Sequence, residues 1–382
     1  MEEKRPNQCV VDGCELDRYD EHGKCILHCE KDNFTKEDCD FFAHALQELY
    51  FIKSSGPPNF LVLSDVIFPK LFTPGSYRSQ FDIHALDDSF ELQIHDCIFL
   101  GDTVFKHPKM VVTNSTFNGK VTFRALEFEY CSFTKCTFNS ALVADNIESH
   151  TDFSILSCNL NDRFSSRESI FYNFKISDST FNSAVSIHYN TFKINGKVSL
   201  STNTFKSYVN FEDNKFYTAL SIRTCGFLSG VSFLGIESLH PNFYDKTTRE
   251  TYRIIKHSFD SIGNTIEANN YFALEMDKLY SELNWKNNFS EKLLLAINKC
   301  TSNFGQNWWL PILWIFGFAS IFYFLRKYDP FDYPFLNGIA SFIIPYQGII
   351  GTTHQMSKLL TSILFGVLIY QTTVALKRKT RR

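Results

Sequence analysis

Cys9, Cys14, Cys25 and His28, with Cys29 directly following, place four thiol or imidazole side chains within twenty residues. Thiolate sulfur and imidazole nitrogen are the donors of tetrahedral structural zinc sites, and so short a stretch has no apolar core to fold on otherwise. The spacing Cys-x4-Cys-x10-Cys-x2-His therefore points to a zinc knuckle in residues 1–32, with a structural zinc as the expected cofactor. Cys29 could replace His28 as fourth ligand, His22 is a spare, and free thiols in a loose terminus are the alternative. A catalytic zinc is disfavoured, because nothing nearby looks like a general base beside an open coordination position.

No other motif promises catalysis. There is no Gly-rich phosphate loop, no HExxH and no nucleophile elbow, and the eleven His are scattered without carboxylate partners at useful spacing. The chain is expected not to be an enzyme, with no catalytic residues.

A second kind of chemistry, ion passage, is suggested near the C-terminus. Trp308–Leu325 and Leu359–Leu376 are each eighteen residues without Asp, Glu, Lys, Arg or His, near the lower limit for a membrane-spanning helix. Trp308, Trp309, Tyr323 and Tyr328 stand at the ends of the first run, and Lys377, Arg378, Lys379, Arg381 and Arg382 follow the second. By the aromatic-belt and positive-inside rules these read as a transmembrane hairpin with both termini in the cytoplasm. Phe335–Thr353, broken by Gly338, Pro345, Gly348 and Gly351, has the look of a re-entrant loop, an irregular backbone tolerated at membrane depth only where it is buried or lines water. Gln347, Gly348, Gly351, Thr352 and Thr353 are then the pore or filter candidates. The TVGYG filter of potassium channels is absent. Two spans cannot enclose a pore, so a homo-oligomer, with four copies the guess, is required.

Composition bounds the remainder. Of 382 residues 40 are Phe, many of them before residue 240. Residues 301–382 hold eight Lys/Arg and two Asp/Glu, leaving 30 and 39 for residues 1–300, so the larger part is mildly acidic. A nucleic-acid partner is not expected, since no basic stripe appears outside the tail. The eleven Cys follow a polar opening, MEEKRPNQ, that does not read as a signal peptide, so the thiols are expected to be reduced or metal-bound.

Thr35 and Asp38 open a helix expected to run to about Ile52, ended by Ser-Ser-Gly-Pro-Pro, and residues 33–95 read as a helical cap region. Residues 96–238 explain the Phe surplus. Pairs of a small and a large apolar residue two places apart recur, from Val185/Ile187 and Asn190/Phe192 through Asn203/Phe205 and Asn214/Phe216 to Val231/Phe233. Their large members fall 5 or 6 residues apart, save one gap of 8 near Ile194 and Asn195. Residues two apart on a strand face the same way, so each pair points inward and four pairs make one coil of a stacked solenoid. An earlier run has Phe128, Phe133 and Phe138 with Cys131 and Cys136 in the small positions.

These residues resemble the pentapeptide-repeat family in a degenerate, eleven-residue form, seen in Phe205, Val209, Phe211, Asn214 and Phe216. The resemblance implies a right-handed quadrilateral parallel β-helix but no single function: some members mimic DNA and protect gyrase, others present a surface. Lys193, Lys197, Lys206, Lys215 and Arg223 spoil the acidic rod that DNA mimicry needs.

Residues 239–300 read as a helical connector, with Tyr252, Ile255 and Phe259 on one face and a break at Gly263. Arg249, Tyr252, Lys256, Glu267, Ala268, Glu275 and Met276 look like the connector of bacterial proteins that fuse pentapeptide repeats to a two-span, channel-like terminus, assigned here to residues 301–382. The leading expectation is thus a multi-pass protein of the bacterial inner membrane, in contact with the lipid bilayer, forming a channel-like pore coupled to the repeat. The alternative is a membrane-tethered interaction scaffold whose β-helix binds a cytoplasmic protein partner.

Overall fold

The computed structural model describes residues 7–11, 14, 16–31, 34–54, 60–70, 91–105, 107–124, 127–239, 241–325 and 355–380. It divides into two compact units, Met1–Thr251 and Tyr252–Arg382.

The first unit is a parallel β-solenoid. Among the described residues its strands lie in three sheets of ten, eight and seven strands, and the pairs within these sheets run parallel. The strands begin with β1 (Phe60–Ser64) and β2 (Ile67–Phe68), ahead of the densest Phe period. Within one coil, Cys131/Phe133, Cys136/Phe138, Leu142/Ala144 and Ile147/Ser149 are four successive buried pairs. Alternate residues of an extended chain face opposite ways, so a strand of two residues suffices to bury one Phe and expose its neighbour. In-register stacking then lays ring on ring. Phe68, Phe99, Phe117 and Phe138 follow one another at centroid separations of 4.2, 4.6 and 4.9 Å. Leu160 interrupts that column before Phe181, Phe205 and Phe227 resume it at 4.9 and 5.0 Å.

Turning the corners costs backbone freedom. Asp96, Asn114, Lys135, Ser157, Asp178, Thr202 and Thr224 all have φ between 49° and 57°, in the left-handed region. Asn146, Glu168, Tyr189 and Asp213 do the same at a second corner. At most of these corners the next residue is a small polar or thiol one facing inward, Ile147 being the exception, and several of these side chains serve the backbone of the preceding coil. Ser169 N–H donates to Asn190 Oδ1 (2.9 Å), and Asn190 N–H donates to Asn214 Oδ1 (2.9 Å). Asn214 Nδ2 donates in turn to the carbonyls of Ile187 and Phe211, both at 2.7 Å. A buried N–H without an acceptor is costly, so these asparagines hold the stack as much as the rings do. Asn214→Ala should therefore destabilise by about 1–3 kcal/mol, the cost of orphaning the Asn190 amide. Urea unfolding monitored by circular dichroism measures it, and an unchanged midpoint would show the ladder to be dispensable.

The gap near Ile194 and Asn195 is a bulge. A five-residue step from Phe192 to Lys197 opposes the two-residue step from Phe171 to Asn173. A Cβ at Gly196 would lie 1.8 Å from the Tyr172 carbonyl oxygen, so only glycine fits there. On the outer surface Asn118, Asn139, Asn161 and Asn182 form an amide ladder, each Nδ2 donating to the preceding Oδ1 at 2.7 Å.

Both ends of the solenoid are covered. Helix α1 (Lys36–Ser54) starts at a capping box: Asp38 N–H donates to Thr35 Oγ1, and Thr35 N–H donates back to Asp38 Oδ2. It sets the buried Phe42 edge-on against Phe68, 5.6 Å away. At the other end, after α2 (Pro241–Lys246), the start of α3 (Arg249–Ser261) meets the edge strand Leu220–Arg223. Leu220 N–H donates to Thr247 Oγ1, Ile222 N–H to Thr251 Oγ1 and Thr224 N–H to Glu250 Oε1. Edge amides that would otherwise recruit another strand are thereby satisfied.

The second unit holds the rest of α3 with α4 (Thr265–Glu282), α5 (Phe289–Ser302), α6 (Trp309–Leu325) and α7 (Gln355–Thr380). Gly263, at φ 77°, ends α3, and Asn264 caps α4 through Glu267 N–H. Glu275 is buried and takes its ion pair from Arg253 at 3.0 Å.

The C-terminal reading is corrected here. Among the described residues no helix is long and apolar enough to cross a membrane. Helix α6 has seventeen residues, about 26 Å of rise against a hydrocarbon core of about 30 Å. Helix α7 has twenty-six but is polar along its later half: Gln371 accepts from Ser302 Oγ at 3.1 Å and donates to Asn298 Oδ1 at 2.7 Å, and Arg378 donates to the Phe304 carbonyl. The buried contact between the two is small, made by Ile315, Ala319, Phe365 and Leu368. The fold class thus keeps its solenoid and loses its transmembrane hairpin. With the spans go the channel-like pore, the membrane tether and the multi-pass inner-membrane location with cytoplasmic termini. The filter candidates Gln347, Gly348, Gly351, Thr352 and Thr353 lie outside the described residues.

Candidate metal centre

Two local devices bring the N-terminal ligands together. Gln8 and Asp17 form an antiparallel bridge, with Cys9 N–H donating to the Leu16 carbonyl at 2.9 Å and Val10 N–H to Gly23 at 2.9 Å. Gly23 sits at φ 79°, where a side chain would also strike Val10. Cys25 then begins a single helical turn, in which the amides of His28 and Cys29 both donate to the Cys25 carbonyl. One turn sets residues three apart on the same side, so Cys25 and His28 converge.

All four side chains are buried, and their donor atoms lie within 4.8 Å of one another. Cys14 Sγ is 3.6 Å from Cys25 Sγ, while His28 Nδ1 is 3.2 Å from Cys25 Sγ and 3.5 Å from Cys9 Sγ. Tetrahedral zinc at about 2.3 Å from sulfur and 2.0 Å from nitrogen spaces its donors about 3.5–3.8 Å apart. The donor set and spacing fit a metal ion: Cys9, Cys14, Cys25 and His28 could hold one.

The surroundings orient this cluster. His28 Nε2 donates to the Ser64 carbonyl at 3.2 Å, which leaves the Nδ1 lone pair facing the sulfurs. Cys25 N–H points at Cys9 Sγ, 3.3 Å away. Bonding to Cys25 lowers the Cys14 pKa against its burial, whereas Cys25, bonded to Cys14 and buried, is pushed up to about 11. Burial opposes the His28 imidazolium, yet the Cys25 and Cys9 thiols outweigh it and lift the pKa to about 9.

The structure also separates the two adjacent candidates for fourth ligand. Cys29 Sγ turns away, 3.6 Å from the Ile26 carbonyl and 3.3 Å from Lys31 Nζ, while His22 is exposed. Two participants escaped the sequence. Ser64 is thirty-six residues from the imidazole it fixes, and Lys31 reads as an ordinary surface residue although it is buried. Neither carries a motif that could have revealed it.

The knuckle is also joined to the solenoid. Ile67 N–H, on β2, donates to the Leu27 carbonyl at 3.0 Å, beside the His28 bond to the last residue of β1. Comparison with known proteins gives no family model, no curated protein and no solved structure that matches the chain.

Proposed function

We propose that the chain is a non-catalytic binding scaffold: a right-handed, quadrilateral β-helix of the pentapeptide-repeat type whose first coil is closed by a structural zinc on Cys9, Cys14, Cys25 and His28. The observation that carries this reading is the linkage of the knuckle to β1 and β2 through His28 and Leu27. Four buried protein donors leave no open coordination position, which is the mark of structural rather than catalytic zinc. When bound, zinc would supply cross-linking alone. His28 orients the first coil, and the Cys25–Cys29 turn shields its edge.

Support for a protein partner comes from the solenoid surface. Tyr208 and Leu228 are exposed in neighbouring coils of a rigid stack, and aromatic and apolar side chains of this kind favour protein interfaces. The four-copy expectation rested on the pore and has no separate support.

Metal analysis and hydrogen exchange of the full chain test the scaffold and its cap. One zinc per chain is expected, and its removal by chelator should speed exchange at Asp65–Phe68 while leaving Phe117–Phe138 protected. A metal-free chain with the same protection would overturn the reading. A cross-linker placed at Tyr208 should trap a partner that Leu228→Glu releases; an unchanged cross-linking pattern would count against the interface.

A further inference from the structure

Lys31 is 4% exposed. Its ammonium donates to the carbonyls of Ile26 (2.6 Å) and Cys29 (2.7 Å), lies 3.3 Å from Cys29 Sγ, and stands 4.8 and 5.5 Å from the ring centroids of Phe34 and Phe42. Among the described residues no carboxylate forms an ion pair with it. Lysine is almost never buried so deeply without a counter-charge, because dipoles and ring faces alone do not repay the lost hydration. Burial also disfavours the charged form of Lys31, with Cys29, Cys25 and, from beyond ion-pair distance, the Asp20 carboxylate acting the other way.

The metal centre offers a counter-charge. Three thiolates, a neutral imidazole and a divalent ion sum to one negative charge, and Lys31 carries one positive charge. Both carbonyls that hold the ammonium belong to the Cys25–Cys29 turn that presents two of the ligands.

We propose that Lys31 is a positioning residue of the metal centre, whose buried ammonium neutralises the single net negative charge of the Cys3His site and braces the turn carrying Cys25 and His28. This rests on the metal reading given above. It assigns the lysine a role through charge, and the role can be separated from packing and from hydrogen bonding.

Zinc affinity of the full chain, measured by competition with a chromogenic chelator, provides the test. Lys31→Gln keeps a hydrogen-bond donor but no charge, and should weaken zinc binding about 10-fold or more, in the range typical of groups that orient metal ligands. Lys31→Arg keeps the charge and should bind within about 3-fold of the parent chain, a small fraction of that effect. In a Cys14→His background the site carries no net charge, and Lys31→Met should then cost nothing or strengthen binding. Equal affinity for Lys31→Gln and the parent chain overturns the proposal. So does a Lys31→Met penalty of the same size in both backgrounds, which would mark a purely structural lysine. Should Cys14→His take up no zinc, the Gln and Arg variants decide alone. A parent chain that binds no zinc defeats the metal reading itself, a result distinct from either of these.

Discussion

Cys25→Ser is expected to abolish stoichiometric metal binding and to unfold the knuckle, because Cys25 touches three of the other participants: Cys14 Sγ, His28 Nδ1 and, through its amide, Cys9 Sγ. Structural zinc contributes about 10–16 kcal/mol of apparent folding free energy in small zinc-binding peptides near neutral pH. Losing it is therefore decisive for a segment without a core of its own. The damage should stop at the first coil. In stacked repeats each unit leans mainly on its neighbours, so the coils around Phe117 and Phe138 should keep their main thermal transition. Metal analysis with scanning calorimetry checks both halves, and a loss of the main transition would show the knuckle to be a folding nucleus rather than a cap. Zinc must also displace protons. The free groups Cys25 and His28, with pKa values of about 11 and about 9, are protonated at neutral pH, so affinity should fall as pH is lowered.

Phe138→Ala should be the most damaging single substitution inside the stack. Phe138 is wholly buried, lies parallel to Phe117 at 4.9 Å, meets Phe133 edge-on at 5.3 Å and sits in register with Leu160 of the next coil. Removal of a ring from such a place costs about 3–5 kcal/mol, since the coils on either side cannot collapse into the void. Phe227→Ala, half-buried in the last coil of the same column, should cost clearly less. Urea titration of both variants compares them, and equal midpoints would contradict the column as the principal support.

Much of this solenoid is legible in the residues, and the illegible parts have physical causes. A side-chain period of two along each strand and a corner after each pair make Val185/Ile187 or Asn214/Phe216 readable as inward pairs. What that period does not express is why asparagine belongs inside. Asn190 and Asn214 are there to accept corner amides of the preceding coil, a role set by stacking and not by local pattern. The first coil is harder to see, because β1 pairs with Glu91–His95, thirty-one residues later, beyond the spacing of the regular coils. At the metal centre, adjacency hides geometry: His28 and Cys29 are neighbours in sequence but point to different sides of one turn. The C-terminal error has a similar origin. A tally of uncharged residues in Leu359–Leu376 gives no weight to Gln371, whose bonds to Asn298 and Ser302 tie that helix to a polar neighbour.

The hydroxyls of Thr247 and Thr251 and the carboxylate of Glu250 imitate, for the strand Leu220–Arg223, the acceptors that one more coil would have supplied. The rod is therefore finite by chemistry as well as by length. A second molecule arriving head to tail finds the amides of that strand already taken, so strand-to-strand extension there is disfavoured without any bulky plug.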